Sequence, residues 1–81
     1  MLRALSHPDR RLFVVACRAA PKAAGELAEL SSLSIATVSE HLKVLRTSGL
    51  LLLDRQGRNW FYRTDPDVLD ATIALLQSLR G

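Results

Sequence analysis

The chain has little cysteine and little aromatic character: of its 81 residues one is cysteine, Cys17, and 5% are aromatic. A single cysteine cannot form a disulfide within the chain, which excludes a disulfide-stabilised scaffold. No apolar run reaches the ~18 residues that a membrane-spanning helix requires, and the opening residues lack the pattern of a signal peptide. These absences predict a soluble, cytoplasmic protein without a membrane partner, and the length predicts one domain over residues 1–81.

The sequence also offers few groups for catalysis or for a metal. It contains no nucleophile with a nearby base, no carboxylate pair and no phosphate-binding loop, so we expect no enzyme activity. His7, Cys17 and His41 fall on separate predicted elements, and the last predicted helix contributes only Asp67 and Asp70. Because a metal site needs about four suitable ligands, we expect neither a metal nor a cofactor. The net charge of +3 is modest, so the placement of charges matters more than their sum.

What the chain does contain is a series of amphipathic helical patterns. The first spans residues 8–20 and begins at Pro8, which suits a first helical turn because its missing N–H would have no partner there. A short second helix over residues 23–30 is predicted to turn Leu27 and Leu30 toward the core.

The third pattern follows a polar turn and predicts a helix over residues 34–48. Ser34 can cap its start, and Gly49 can end it because glycine accepts a left-handed backbone. Its apolar residues recur at helical spacing and are predicted to point inward together: Ile35, Val38, Leu42 and Leu45. The opposite face is small and polar: Ala36, Thr37 and Glu40 point most directly outward, Lys43 lies beside them, and Ser39 and His41 lie on the flanks.

A β-hairpin and a closing helix are predicted for the rest of the chain. Residues 50–53 and 59–64 have the composition of strands, and residues 54–58 between them form a loop in which Gly57 permits positive φ. Asp65 can cap a final helix, whose apolar face is wider than one stripe. We expect a second copy of the chain to cover part of that face, giving a homodimer.

Three segments together resemble the ArsR family of bacterial winged-helix repressors, over essentially the whole chain. They are LRALSHPDRRLFVV, then GELAEL followed by LSIATVSEHLKVLRTSGL, and DRQGRNWFYR. The resemblance implies a mainly α fold with a β-hairpin wing, a winged helix-turn-helix of four helices, two strands and a fifth helix. The first helix would be a short one over residues 1–6. The resemblance further implies that helix 34–48 is the recognition helix, residues 54–59 are the wing, and the terminal helices form the dimer interface.

The expected partner is double-stranded DNA, read by a helix in the major groove and by the wing. The candidate DNA-binding residues are Ser34, Ala36, Thr37, Ser39, Glu40, His41 and Lys43 on the helix, and Arg55, Gln56 and Arg58 on the wing. Several have a structural alternative. Ser34 and Thr37 can instead stabilise the helix start, His41 can pack or be solvated, and the wing arginines can be a solvated loop tip.

Glu40 admits two interpretations of equal weight. Its carboxylate can accept a hydrogen bond from cytosine N4, or it can form an ion pair with Lys43 three residues on. The sequence as a whole predicts a dimeric repressor that binds a near-palindromic operator, and it does not identify an effector. The alternative function is a winged-helix protein-interaction module that does not bind DNA.

Overall fold

The computed structural model describes residues 3–80 and contains four α-helices and one two-stranded antiparallel sheet. A 3₁₀ turn at Arg3–Leu5 precedes them. The elements are α1 (Pro8–Ala19), α2 (Ala24–Ser31), α3 (Ile35–Thr47), β1 (Leu51–Gln56), β2 (Asn59–Thr64) and α4 (Pro66–Arg80). This is the predicted winged helix-turn-helix, with four α-helices rather than five.

The missing helix is the short one predicted over residues 1–6. Its described part is a single 3₁₀ turn, and Met1 and Leu2 lie outside the described residues. His7 precedes Pro8 and has φ −98° and ψ 129°, the extended conformation that the proline ring favours in the residue before it. A helix therefore cannot continue through His7 into α1. His7 is the N-cap of α1 instead, and its Nδ1 accepts the backbone N–H of Asp9 at 3.2 Å.

The predicted ends of α3 and the start of α4 are confirmed. Ser34 Oγ accepts the backbone N–H of Thr37 at 3.2 Å, and Asp65 Oδ1 accepts the backbone N–H of Asp67 at 3.0 Å. Gly49 has φ +86°, which lets the backbone N–H of Leu50 turn back to the Leu45 carbonyl at 3.1 Å. These local bonds satisfy backbone groups that a helix end leaves free.

The core lies between α1, α2, α3 and the base of the hairpin. Its fully buried side chains are Phe13, Leu27, Val38, Leu42, Leu45, Leu50 and Leu51. Two residues predicted to point inward do not belong to it: Leu30 and Ile35 are each 54% exposed. Leu30 lies in the last turn of the eight-residue α2 and Ile35 is the first residue of α3, so both lie at helix ends on either side of the turn.

The hairpin is longer than predicted, because β1 runs to Gln56 rather than stopping at Leu53. Gln56 pairs with Asn59, so the predicted five-residue loop is a two-residue turn. The two central residues of this turn are Gly57 and Arg58. Only Gly57, the first of them, has a positive φ (+62°), as a type II′ turn requires. An ion pair between Arg63 Nε and Asp54 Oδ2 at 2.6 Å joins the two strands diagonally, since Arg63 lies opposite Leu52 and Asp54 opposite Phe61.

Candidate nucleic-acid interface

The outer face of α3 is exposed as predicted. Ala36, Thr37, Ser39, Glu40 and Lys43 all lie on the surface. A helix with small side chains on its outer face can approach base edges closely, so this surface is suited to the major groove.

Ser34 and Thr37 have a structural role at the start of α3. Besides the capping bond described above, their hydroxyl oxygens lie 2.9 Å apart and share a hydrogen bond. Both side chains are exposed, and a hydroxyl can accept a second hydrogen bond while it donates one. The geometry is therefore compatible with a DNA contact from either residue.

His41 is buried, unlike the other predicted residues of the helix. It is 8% exposed, and its ring lies against those of His7, at a centroid distance of 4.4 Å, and Phe13, at 6.3 Å. Its Nδ1 accepts a hydrogen bond from Arg10 Nε at 3.1 Å. Burial and the neighbouring His7 and Arg10 lower the pKa of His41. A packed imidazole on the inner side of the helix is not placed to touch a base, so the structure favours the packing role of His41 over a DNA contact.

The structure brings together two histidines that the sequence places on separate elements. One ligand atom from each of His7, Asp9 and His41 lies within 4.8 Å of the others. Nδ1 of each ring is already a hydrogen-bond acceptor, from the Asp9 backbone in one case and from Arg10 in the other. The Arg10 guanidinium beside His41 also repels a cation. These hydrogen bonds explain why the three side chains lie together, because they link the start of α1 to α3.

Cys17 lies in the core at 2% exposure. Burial raises the pKa of its thiol to about 11, so at neutral pH the thiol is protonated and a poor nucleophile. Cys17 is therefore a small residue of the hydrophobic core.

Glu40 and Lys43 do not form the ion pair considered from the sequence. Within residues 3–80, neither residue belongs to an ion pair, whereas Arg63 pairs with Asp54. The Glu40 carboxylate therefore stands on the outer face of α3 without a cation to neutralise it. Such a carboxylate either accepts a hydrogen bond from a base or repels phosphate.

The wing presents three exposed side chains at its end: Arg55, Gln56 and Arg58. The Arg55 guanidinium lies 4.8 Å from the ring centre of Trp60, its cross-strand partner, in a cation–π contact. Arg58 lies in the turn itself. Arg55 is thus held against the strand, while Arg58 projects from the tip.

Three residues near this surface were missed from the sequence: Arg46, Thr47 and Tyr62. Together with Ser39 and Lys43 they line a cleft between α3 and β2. Ser39, Lys43 and Arg46 are spaced at i, i+4 and i+7, which places all three on one side of a helix. This spacing could have indicated Arg46 from the sequence. No sequence pattern joins Tyr62 to them, because only the folded hairpin brings β2 alongside α3.

Comparison with known proteins agrees with this architecture. A family model described as a helix-turn-helix domain matches residues 5–54. The HTH-type transcriptional regulator YgaV of Escherichia coli K12 is 32% identical over 80 residues, covering 98% of this chain and 81% of YgaV. The chain belongs to the ArsR family. The HTH-type transcriptional repressor SmtB of Mycobacterium tuberculosis is 35% identical over 63 residues, which are 78% of this chain and 47% of SmtB.

Solved structures of ArsR-family members have the same fold. The ArsR-like transcriptional regulator from Rhodococcus sp. RHA1 superimposes with a TM-score of 0.87 at 27% identity, covering 96% of this chain and 72% of that protein. An ArsR-family winged helix-turn-helix is a DNA-binding module of transcriptional regulation, a role that involves no catalysis. Within the described residues, no helix is both long and apolar enough to cross a membrane.

Proposed function

We propose that this ArsR-family protein is a dimeric transcriptional repressor that binds a near-palindromic operator through residues 34–48 and the wing at residues 54–59. The observation that carries the proposal is the position of the wing beside the exposed face of α3. Tyr62 of β2 meets Ser39 and Lys43 across one cleft. The outer face of α3 and the wing strands therefore border one surface, which a single DNA duplex can contact.

The proposed dimer follows from the unequal burial of α4. Only Leu69 and Thr72, in its first half, are buried, and four large apolar side chains are exposed: Ile73, Leu75, Leu76 and Leu79. At 100° per residue Leu76 and Leu79 continue the same stripe as Leu69 and Thr72, past the end of the core. An apolar stripe of this kind is typical of an interface, and a second copy of α4 matches it in chemistry.

Two-fold symmetry then determines the form of the operator. Two α3 helices related by a two-fold axis contact two half-sites of opposite orientation, about 34 Å apart if they occupy successive turns of one face of the duplex. The proposal is tested by selecting bound duplexes from a random DNA pool at two salt concentrations. We expect an inverted repeat at both concentrations. Recovery of random sequences that dissociate at moderate salt would contradict sequence-specific binding, and no retention at low salt would favour the protein-interaction module.

Glu40→Gln is expected to change sequence preference. If the carboxylate accepts a hydrogen bond from cytosine N4, the amide that replaces it can also donate one. The protein should then distinguish cytosine from the other bases at that one base pair less well, by about 1–3 kcal/mol. The measurement is the relative affinity for four duplexes that differ only at that pair. Glu29→Gln, which makes the same change at an exposed position of α2 outside the proposed contact surface, is the control. A uniform rise in affinity for all four would show instead that Glu40 only repels phosphate.

Arg58→Ala is expected to weaken binding to every duplex by the same factor. A guanidinium at the wing tip contacts backbone or minor groove, so its loss should lower the slope of log affinity against log salt by about 0.9 for each protomer. The matched control is Lys22→Ala, which removes one charge beside Glu26 and Glu29 at a separate cleft. A slope equal to that of the unmodified protein would remove Arg58 from the DNA contacts.

A further inference from the structure

The cleft between α3 and β2 has the composition of an anion site. Its volume is about 450 Å³, and its lining consists of Ser39, Lys43, Arg46, Thr47 and Tyr62. Among the described residues this lining provides two cationic groups and three hydroxyls, with no carboxylate. Lys43 and Arg46 are both exposed, and neither belongs to an ion pair in the described part of the chain. Their charges are therefore available to an external anion.

The hydroxyls differ in what they can offer. Thr47 Oγ1 donates its proton to the Lys43 carbonyl at 2.8 Å, so Thr47 shapes the wall and has no proton for a ligand. The hydroxyls of Ser39 and Tyr62 can donate. Tyr62 is fixed from behind, because its backbone N–H and carbonyl pair with Lys22 at 2.8 and 2.9 Å. Two cations and two hydroxyl donors around one cleft can hold an anion by charge-assisted hydrogen bonds.

The position of the cleft indicates which anion it meets. Its walls are α3, the proposed recognition helix, on one side and the wing strand β2 on the other. Tyr62 shares a strand face with Trp60, because alternate residues of a strand point the same way, and Trp60 faces Arg55 across the hairpin. When α3 lies in the major groove and the wing tip reaches the next minor groove, the sugar–phosphate strand that separates those grooves must pass between them.

We propose that this cleft seats a backbone phosphodiester of the bound DNA, with Arg46 as its principal cation, Lys43 as a second, and Ser39 and Tyr62 as hydrogen-bond donors. This inference rests on the proposed function, since it concerns how the same surface holds DNA. The contact fixes the register of α3 in the groove without reading a base. With this contact, α3 and the wing bind the same DNA strand on either side of one phosphate.

The first test compares Arg46→Ala with Lys22→Ala on one selected and one random duplex across a range of salt concentrations. Arg46→Ala is expected to weaken binding to both duplexes by the same factor, about three- to tenfold for each protomer near 0.1 M salt, and to lower the salt slope by about 0.9 for each protomer. Lys22→Ala keeps the backbone pairing with Tyr62 and removes a charge outside the cleft, so it should change neither quantity. Arg46→Gln, which keeps the length of the side chain, is the second variant if the alanine form does not fold.

The second test locates the phosphate directly. Single methylphosphonate groups, which remove one backbone charge, are placed in turn along a selected duplex. One position between the half-site and the adjacent minor groove should weaken binding by the unmodified protein but not by Arg46→Ala, because in that variant the contact is already lost. A merely structural role for Arg46 would leave every position equally costly in both proteins.

The outcomes separate this inference from the function on which it rests. Absence of DNA binding by the unmodified protein at every salt concentration refutes both the proposed function and the proposed phosphate contact in the cleft. DNA binding by Arg46→Ala with an unchanged affinity and salt slope refutes only the proposed phosphate contact in the cleft. Arg46-dependent competition by a nucleoside monophosphate at constant ionic strength, with no position-specific methylphosphonate effect, overturns the backbone assignment and makes the cleft a small-anion site.

Discussion

Leu79→Glu is expected to convert the protein to a monomer and to weaken operator binding by about 100-fold or more. Leu79 is 67% exposed, so a glutamate there remains hydrated in the isolated chain and the fold should survive. In the proposed dimer the same carboxylate would be buried against an apolar partner, at a cost that an interface of this kind cannot offset. Two linked half-site contacts gain about 10²–10⁴ in affinity over one, and a monomer loses that gain.

The measurements are the mass in solution by light scattering and the affinity for a duplex with both half-sites. Gln77→Glu is the matched control: it adds the same charge to α4, but its position lies about 120° from the middle of the apolar stripe. It should leave both mass and affinity unchanged. A Leu79→Glu protein that remains dimeric would place the interface elsewhere. A Leu79→Glu protein that is monomeric but keeps its affinity would show that each protomer binds DNA alone.

Leu27→Ala is expected to destabilise the fold by about 2–5 kcal/mol, whereas Leu30→Ala should cost no more than about 0.5 kcal/mol. Both residues are leucines of α2, but Leu27 is fully buried and Leu30 is 54% exposed. Truncating Leu27 removes apolar contacts and leaves a cavity in the core. A domain of this size is held by about 4–12 kcal/mol in total, so the loss is a large part of its stability.

Urea unfolding followed by circular dichroism measures both variants. The midpoint should fall sharply for Leu27→Ala with the slope of the transition unchanged, and hardly move for Leu30→Ala. DNA affinity per folded molecule should stay the same in both, because neither residue lies on the proposed contact surface. Equal losses from the two substitutions would mean that Leu30 is covered in solution, for example by a partner.

The local features of the fold could be predicted from the sequence because they depend on residues close together in the chain. The cap formed by Ser34, the end of α3 at Gly49 and the strand Asn59–Thr64 are all confirmed. The β1 strand was predicted too short because Asp54 is a poor strand former by itself. Its place in the strand depends on Arg63, nine residues away, which no local pattern shows.

The sequence also allowed the ArsR family and the outward face of α3 to be identified, since the order of motifs and the helical spacing are properties of the chain itself. Folding decided that His41 packs against His7, that Leu30 and Ile35 stay at the surface, and that Tyr62 comes to face Arg46. Each of these depends on how one element lies against another. Periodicity states which residues share a side of a helix, but only the packing of several elements determines which part of that side is covered and which part remains open to DNA.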